Sequence, residues 1–109
     1  MTTRKRLFEI RSEIDAAALD LMRRKNADYA QEGAALENYD LAARLAGTSP
    51  ALYILGRVGE KAVRLRTIIK AGGPQVAEET VARELVDLVN FPSLIAAALE
   101  AERGTPTPQ

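Results

Sequence analysis

The chain has 109 residues, with fifteen Lys and Arg balanced by fifteen Asp and Glu, and neither cysteine nor histidine. That length suits one domain, able to bury roughly two-thirds of the surface its unfolded chain exposes. The neutral charge balance supplies no overall field for holding nucleic acid, and the missing cysteines exclude disulfides and thiolate metal sites.

Residues 4 to 30 place Leu7, Ile10, Ile14, Ala17 and Leu21 at spacings of three and four, the stripe of a first helix. Gly33 marks a turn, and a shorter helix carrying Leu36, Leu41 and Leu45 ends at Gly47. Thr48-Ser49-Pro50 offers a capping hydroxyl followed by proline at the first helical position, so a third helix begins there, with Leu55, Val58, Ala62, Leu65 and Ile69 as its core stripe. Gly72-Gly73-Pro74 stops it. A fourth helix is expected from near Gln75, with Val81, Leu85, Leu88, Pro92, Ile95 and Leu99 on one face and a bend at Pro92. The reading is an all-α, four-helix bundle-like domain over residues 1–102, with a disordered tail over 103–109. No run of 18 apolar residues and no signal-like stretch is present, so the expected location is the cytoplasm, with no membrane partner.

Without histidine or cysteine, a metal here has only oxygen ligands, which suits Mg²⁺ or Mn²⁺. Glu84 and Asp87, three apart on a helix, have Cβ atoms roughly 5–6 Å apart. Glu84 also lies close to the apolar stripe, where a carboxylate is costly unless a cation meets it. That cation is either a metal ion or a basic residue, Arg83 or one from another helix. On the third helix Tyr53, Arg57, Glu60, Lys61 and Arg64 form a second group. Glu60 and Arg64 stand at i,i+4 and make a solvated ion pair on one reading; on the other, Glu60 holds a metal while Arg57, Lys61 and Arg64 hold phosphates. Around the turn after the first helix, Lys25, Asp28, Tyr29, Asn38 and Tyr39 offer polar and aromatic contacts for a base or sugar, although turn chemistry accounts for Asn and Gly there equally well.

Taken together these segments resemble the all-α nucleoside-triphosphate pyrophosphohydrolases, the MazG-like group, and within it the largely phage-borne branch known as nucleotide modification associated domain 1. The branch shows K-x-x-D-Y and a downstream N-[FY], matched by Lys25 to Tyr29 and Asn38-Tyr39. Its acid-Lys-x-x-Arg-Leu is matched by Glu60, Lys61, Arg64 and Leu65, and its acidic helix start and final Asp by Glu78, Glu79 and Asp87; Glu84-x-x-Asp87 also fits the wider group's E-x-x-D. The resemblance covers residues 20 to 100. It implies an oligomer, a homodimer or homotetramer, that hydrolyses a (deoxy)nucleoside triphosphate to monophosphate and pyrophosphate with Mg²⁺ or Mn²⁺, in a host cytoplasm if phage-encoded. By resemblance Glu60, Glu84 and Asp87 are the catalytic acids, and these with Glu79 are the metal ligands.

Two positions depart from the pattern. Arg57 stands where the wider group usually has an acid, and Arg83 where the closer branch often has Asp. The alternatives are therefore a catalytically weak or inactive phage protein that binds a nucleotide or a host factor, and a purely structural helical oligomer whose acids pair with arginines.

Overall fold

The computed structural model of the chain describes residues 1–29, 36–73 and 80–104, with backbone alone over 26–29. It contains four helices, α1 (Arg4–Tyr29), α2 (Glu37–Ala46), α3 (Pro50–Ala71) and α4 (Val81–Arg103), and no strand among the described residues. The all-α expectation holds.

Helix ends fall where local chemistry puts them. α2 stops at Gly47, whose φ of 71° is left-handed and lets its N–H reach back to the carbonyls of Ala43 and Arg44. After Thr48, the Ser49 hydroxyl accepts the Leu52 N–H at 3.2 Å, and Pro50 opens α3. The same end receives a second acceptor from far along the chain: Glu102 Oε1 takes the Ala51 N–H at 3.4 Å, a carboxylate at the positive pole of α3. Gly72 ends α3 in the same left-handed way.

α4 starts later than expected. Thr80 is extended (φ −111°, ψ 155°) and its hydroxyl accepts the Arg83 N–H at 3.0 Å, so Val81, and not a residue near Gln75, is the first helical residue. Gly33 and residues 74–79, with the expected start and with Glu78 and Glu79, lie outside the described residues, as do 105–109 of the expected tail. Arg103, assigned to that tail, is the last residue of α4. The helix continues through Pro92, which sits on its exposed side.

The packing is serial. α4 lies between α1 and α3, and α2 leans on α3; among the described residues the extensive contacts of α1 are with α4 alone. The principal extents of 45 × 30 × 25 Å reflect the length of α1, about 39 Å for 26 residues. Along α1, Arg6 pairs with Glu9 and Glu13, Arg11 with Asp15 and Arg24 with Asp20, all at the surface.

The core is centred on Ala51 and Ile54 of α3 and Phe91 and Ala98 of α4, with Leu36, Tyr39, Val58, Leu94, Ile95 and Leu99 packed on it. The expected stripes hold in part: Ile10, Ile14 and Leu21 on α1, Val58 and Leu65 on α3, and Leu85, Leu88, Ile95 and Leu99 on α4 are half-buried, while other members are displaced. α3 turns Ala51, Ile54, Val58, Leu65 and Ile68 inward and leaves Leu55, Ala62 and Ile69 exposed. α4 buries Glu84, Asp87, Phe91 and Ala98, while Val81 and Pro92 are exposed. α1 buries Ala18, with Leu7 and Ala17 outside; α2 buries Ala43, with Leu41 and Leu45 outside. The physical reason on α3 and α4 is the same: charged residues occupy inward positions, which a purely apolar stripe leaves out.

Candidate functional site

Glu84, Asp87 and Phe91 follow one another at three and four residues, so they share a face of α4, and that face meets α3. On α3 the inward line Ile54, Val58, Leu65, Ile68 has Lys61 as its middle member. The two helices thereby bring an ammonium against two carboxylates. Lys61 Nζ lies 3.0 Å from Asp87 Oδ2 and 3.3 Å from Glu84 Oε2. Glu84 is 2% exposed and the Lys61 side chain 12%.

Two further cations border the pair. Lys25, from the last turns of α1, places its Nζ 3.8 Å from Asp87 Oδ1, and Arg64, one turn beyond Lys61, places Nη1 3.7 Å from Glu84 Oε1. α1 is held at this height by Asn90, whose side-chain N–H donates to the Ala18 carbonyl at 2.9 Å. Glu84 Oε2 is buried without a hydrogen bond, facing Lys61 by charge alone. Each buried ion loses several kcal/mol of hydration, so the cluster holds together only because every charge has an opposite partner.

The basic partner of the acid pair is thus a residue from another helix, and Arg83 is exposed. Glu60 is not brought to the pair. It sits at the surface with Arg57 Nη1 2.8 Å from its Oε2, and among the described residues no group of three or more Asp or Glu side chains gathers for a metal ion. The expected Glu60–Arg64 pairing gives way to Arg57–Glu60 and Arg64–Glu84, because three residues of separation put Arg57 beside Glu60 while Arg64 turns toward α4. Of the expected nucleoside contacts, Lys25 reaches the cluster, Asn38 is exposed on the first turn of α2, and the Asp28 and Tyr29 side chains, like all of Glu79, lie outside the described residues.

Tyr39 is closer to the site than its place on α2 suggests. Its ring tilts against Tyr53 at 6.4 Å between centroids. Burial pushes its hydroxyl above the usual phenol range, with Arg57 pulling the other way and Asp87 adding to the rise. Its hydroxyl therefore feels both the surface pair and the buried one. Asn90 is another residue that motif reasoning passes over; the only trace of it in the sequence is a polar side chain one turn after Asp87 on a helix that is apolar around it. Beside Arg64 an open groove of about 630 Å³ runs along α3, lined by Glu60, Val63, Thr67 and Ile68.

No protein-family model, no curated protein and no solved structure matches the chain. No helix among the described residues is long and apolar enough to cross a membrane.

Proposed function

We propose that the chain is a nucleoside-triphosphate pyrophosphohydrolase that works with Mg²⁺ or Mn²⁺ at Glu84 and Asp87. One observation carries the reading: two carboxylates buried on one face of α4 meet cations from both neighbouring helices, Lys61 and Arg64 on α3 and Lys25 on α1. Buried carboxylates ringed by cations are arranged to exchange partners with a ligand that brings both signs of charge, and a metal–triphosphate does so.

The donor set fits a hard divalent cation in kind. Both donors are carboxylates, and Glu84 Oε2 has no hydrogen bond to give up. It fits Mg²⁺ in number too, since that ion commonly takes one or two carboxylates and fills its remaining positions with water and phosphate oxygens. When bound it would supply charge neutralisation of the phosphates and an acidified water. The protein's own part is electrostatic. Lys61 and Arg64 hold phosphate oxygens, and the low exposure of Glu84 and Lys61 keeps competing water out. The groove beside Arg64, walled by Val63, Thr67 and Ile68, receives the nucleoside. Glu60, engaged with Arg57 at the surface, stands outside this ligand set.

Pyrophosphate release from a panel of (deoxy)nucleoside triphosphates with Mg²⁺ tests the proposal. Asp87→Asn should lower turnover by at least about 100-fold, on the scale of losing one preorganised charged group; full turnover in that variant would remove Asp87 from the site. A second reading is favoured by the contacts of Lys61 with both acids at 3.0 and 3.3 Å, which already satisfy the cluster by charge. On that reading the chain binds nucleotide weakly or not at all and the cluster fixes how α3 sits on α4. Nucleotide-dependent shifts in melting temperature without pyrophosphate release separate a binder from an enzyme.

The reading includes self-association through α3. Leu52, Leu55, Val63 and Ile69 are each more than half exposed and lie within about a third of the helix circumference. Gly56 and Gly59 lie on the same side, and a Cβ at either would meet nothing within 4 Å in this chain, so internal packing does not call for them. Mid-helix glycine costs about 1 kcal/mol against alanine, which a second copy's close approach would offset. Light scattering on the purified chain reads the mass directly, and Leu55→Glu, outside the groove, should halve it.

A further inference from the structure

Among the described residues, three cations, Lys25, Lys61 and Arg64, stand within 4 Å of the two carboxylates of Glu84 and Asp87. The cations differ in placement. Lys25 and Arg64 are about half exposed and stand at 3.8 and 3.7 Å, distances of loose attraction. Lys61 is nearly as buried as its partners, and its ammonium lies between the two carboxylates, within 3.3 Å of an oxygen from each. A divalent cation seeking those oxygens meets an ammonium already in position between them, and the two like charges repel.

We propose that Lys61 is an internal counterion that closes the Glu84–Asp87 pair to a free divalent cation and yields it only to one carried in by a polyphosphate. This rests on the function proposed above and states the condition under which the site opens. Phosphate oxygens give the Lys61 ammonium a new partner, so the carboxylates lose their cation at the moment they gain another. The entering polyanion offsets the charge of its own metal while it receives the ammonium. The carbon stem of Lys61 lets the ammonium swing while its root stays on the α3 face against α4. Metal and polyphosphate binding are then linked, each raising the other's affinity by the same factor.

Calorimetric titrations of the full chain with MgCl₂ alone, with tripolyphosphate alone in EDTA, and with the two together test the proposal. The expected results are no heat from Mg²⁺ alone at millimolar concentration, measurable binding of tripolyphosphate alone, and an affinity for each that rises at least about tenfold in the presence of the other. Lys61→Gln, titrated with Mn²⁺ and no phosphate, should bind at least about tenfold more tightly than the wild type, because its carboxylates are left without their counterion. Arg64→Gln and Lys25→Gln, which remove charge but not the ammonium between the acids, should gain less. The wild-type titrations decide the matter even if Lys61→Gln does not fold. Submillimolar binding of Mg²⁺ alone, with tripolyphosphate also bound, overturns the counterion role and leaves the proposed function standing. Failure of tripolyphosphate and of non-hydrolysable triphosphates to bind under any condition overturns both.

Discussion

α1 and the α3–α4 seam carry the same chemical groups and use them in opposite ways. On α1, Arg11–Asp15 and Asp20–Arg24 are exposed pairs one helical turn apart, built within a single helix and surrounded by water. In the seam, Lys61, Glu84 and Asp87 come from two helices and are largely withdrawn from solvent. An exposed pair trades water contacts for one weak attraction, whereas a buried one makes each member's presence a condition for the others. Distance alone does not separate them, since Arg11 and Lys61 both lie about 3 Å from their acids. What differs is how completely each charge depends on the protein for its solvation.

The largest effect should come from removing the cation of the seam. Lys61→Met leaves two buried carboxylates short of charge and should lower unfolding stability by about 3–5 kcal/mol in EDTA, read by urea denaturation. Replacing all three, Lys61→Met with Glu84→Leu and Asp87→Leu, should restore much of that loss while abolishing any nucleotide-dependent shift in melting temperature. If the triple replacement is as unstable as the single one, the seam is held by more than matched charge. By contrast Arg11→Ala should cost only about 0.2–0.5 kcal/mol, a loss that fades in 0.5 M salt.

The smallest effect concerns Tyr39, whose hydroxyl is raised by burial. A folded pKa above the unfolded one means that its stabilisation is complete below the unfolded value near 10 and is lost as pH rises through the folded value. Absorbance titration should show a tyrosine ionising above the usual phenol range, and Tyr39→Phe should remove that step.

The comparison also explains what could be read from the chain in advance. The end of α2 and both ends of α3 were legible because their signals are local: Ser49 before Pro50, and Gly47 and Gly72 after the last helical turns, each act within four residues, whereas the Thr80 cap that opens α4 was passed over. The inward faces were legible only in part, Val58, Leu65, Ile95 and Leu99 among them, because periodicity assigns the interior to apolar residues alone. On α3 it selects Leu55, Ala62 and Ile69, when Ile54, Ile68 and the charged Lys61 point inward. On α4 the acids themselves hold the buried line. The candidate acids Glu84 and Asp87 were legible as a pair, and a basic residue from another helix was one of the partners open to them. That Lys61 would be that partner, and that Glu60 would turn to Arg57 at the surface, depends on the rotation of α3 about its axis. No spacing within one helix encodes that rotation. It is set by which faces fit when two helices pack.

Asn90 adds a mechanical consequence. Its amide fastens onto the Ala18 carbonyl partway along α1, so the long first helix is indexed against α4 at one rung. Lys25 lies two turns further on, and its reach to Asp87 depends on that indexing. Slippage of α1 by a single turn, about 5.4 Å, carries Lys25 out of range and takes its positive charge away from the seam. The axial position of a solvent-covered helix therefore sets the electrical state of a buried cluster that it touches at only one end.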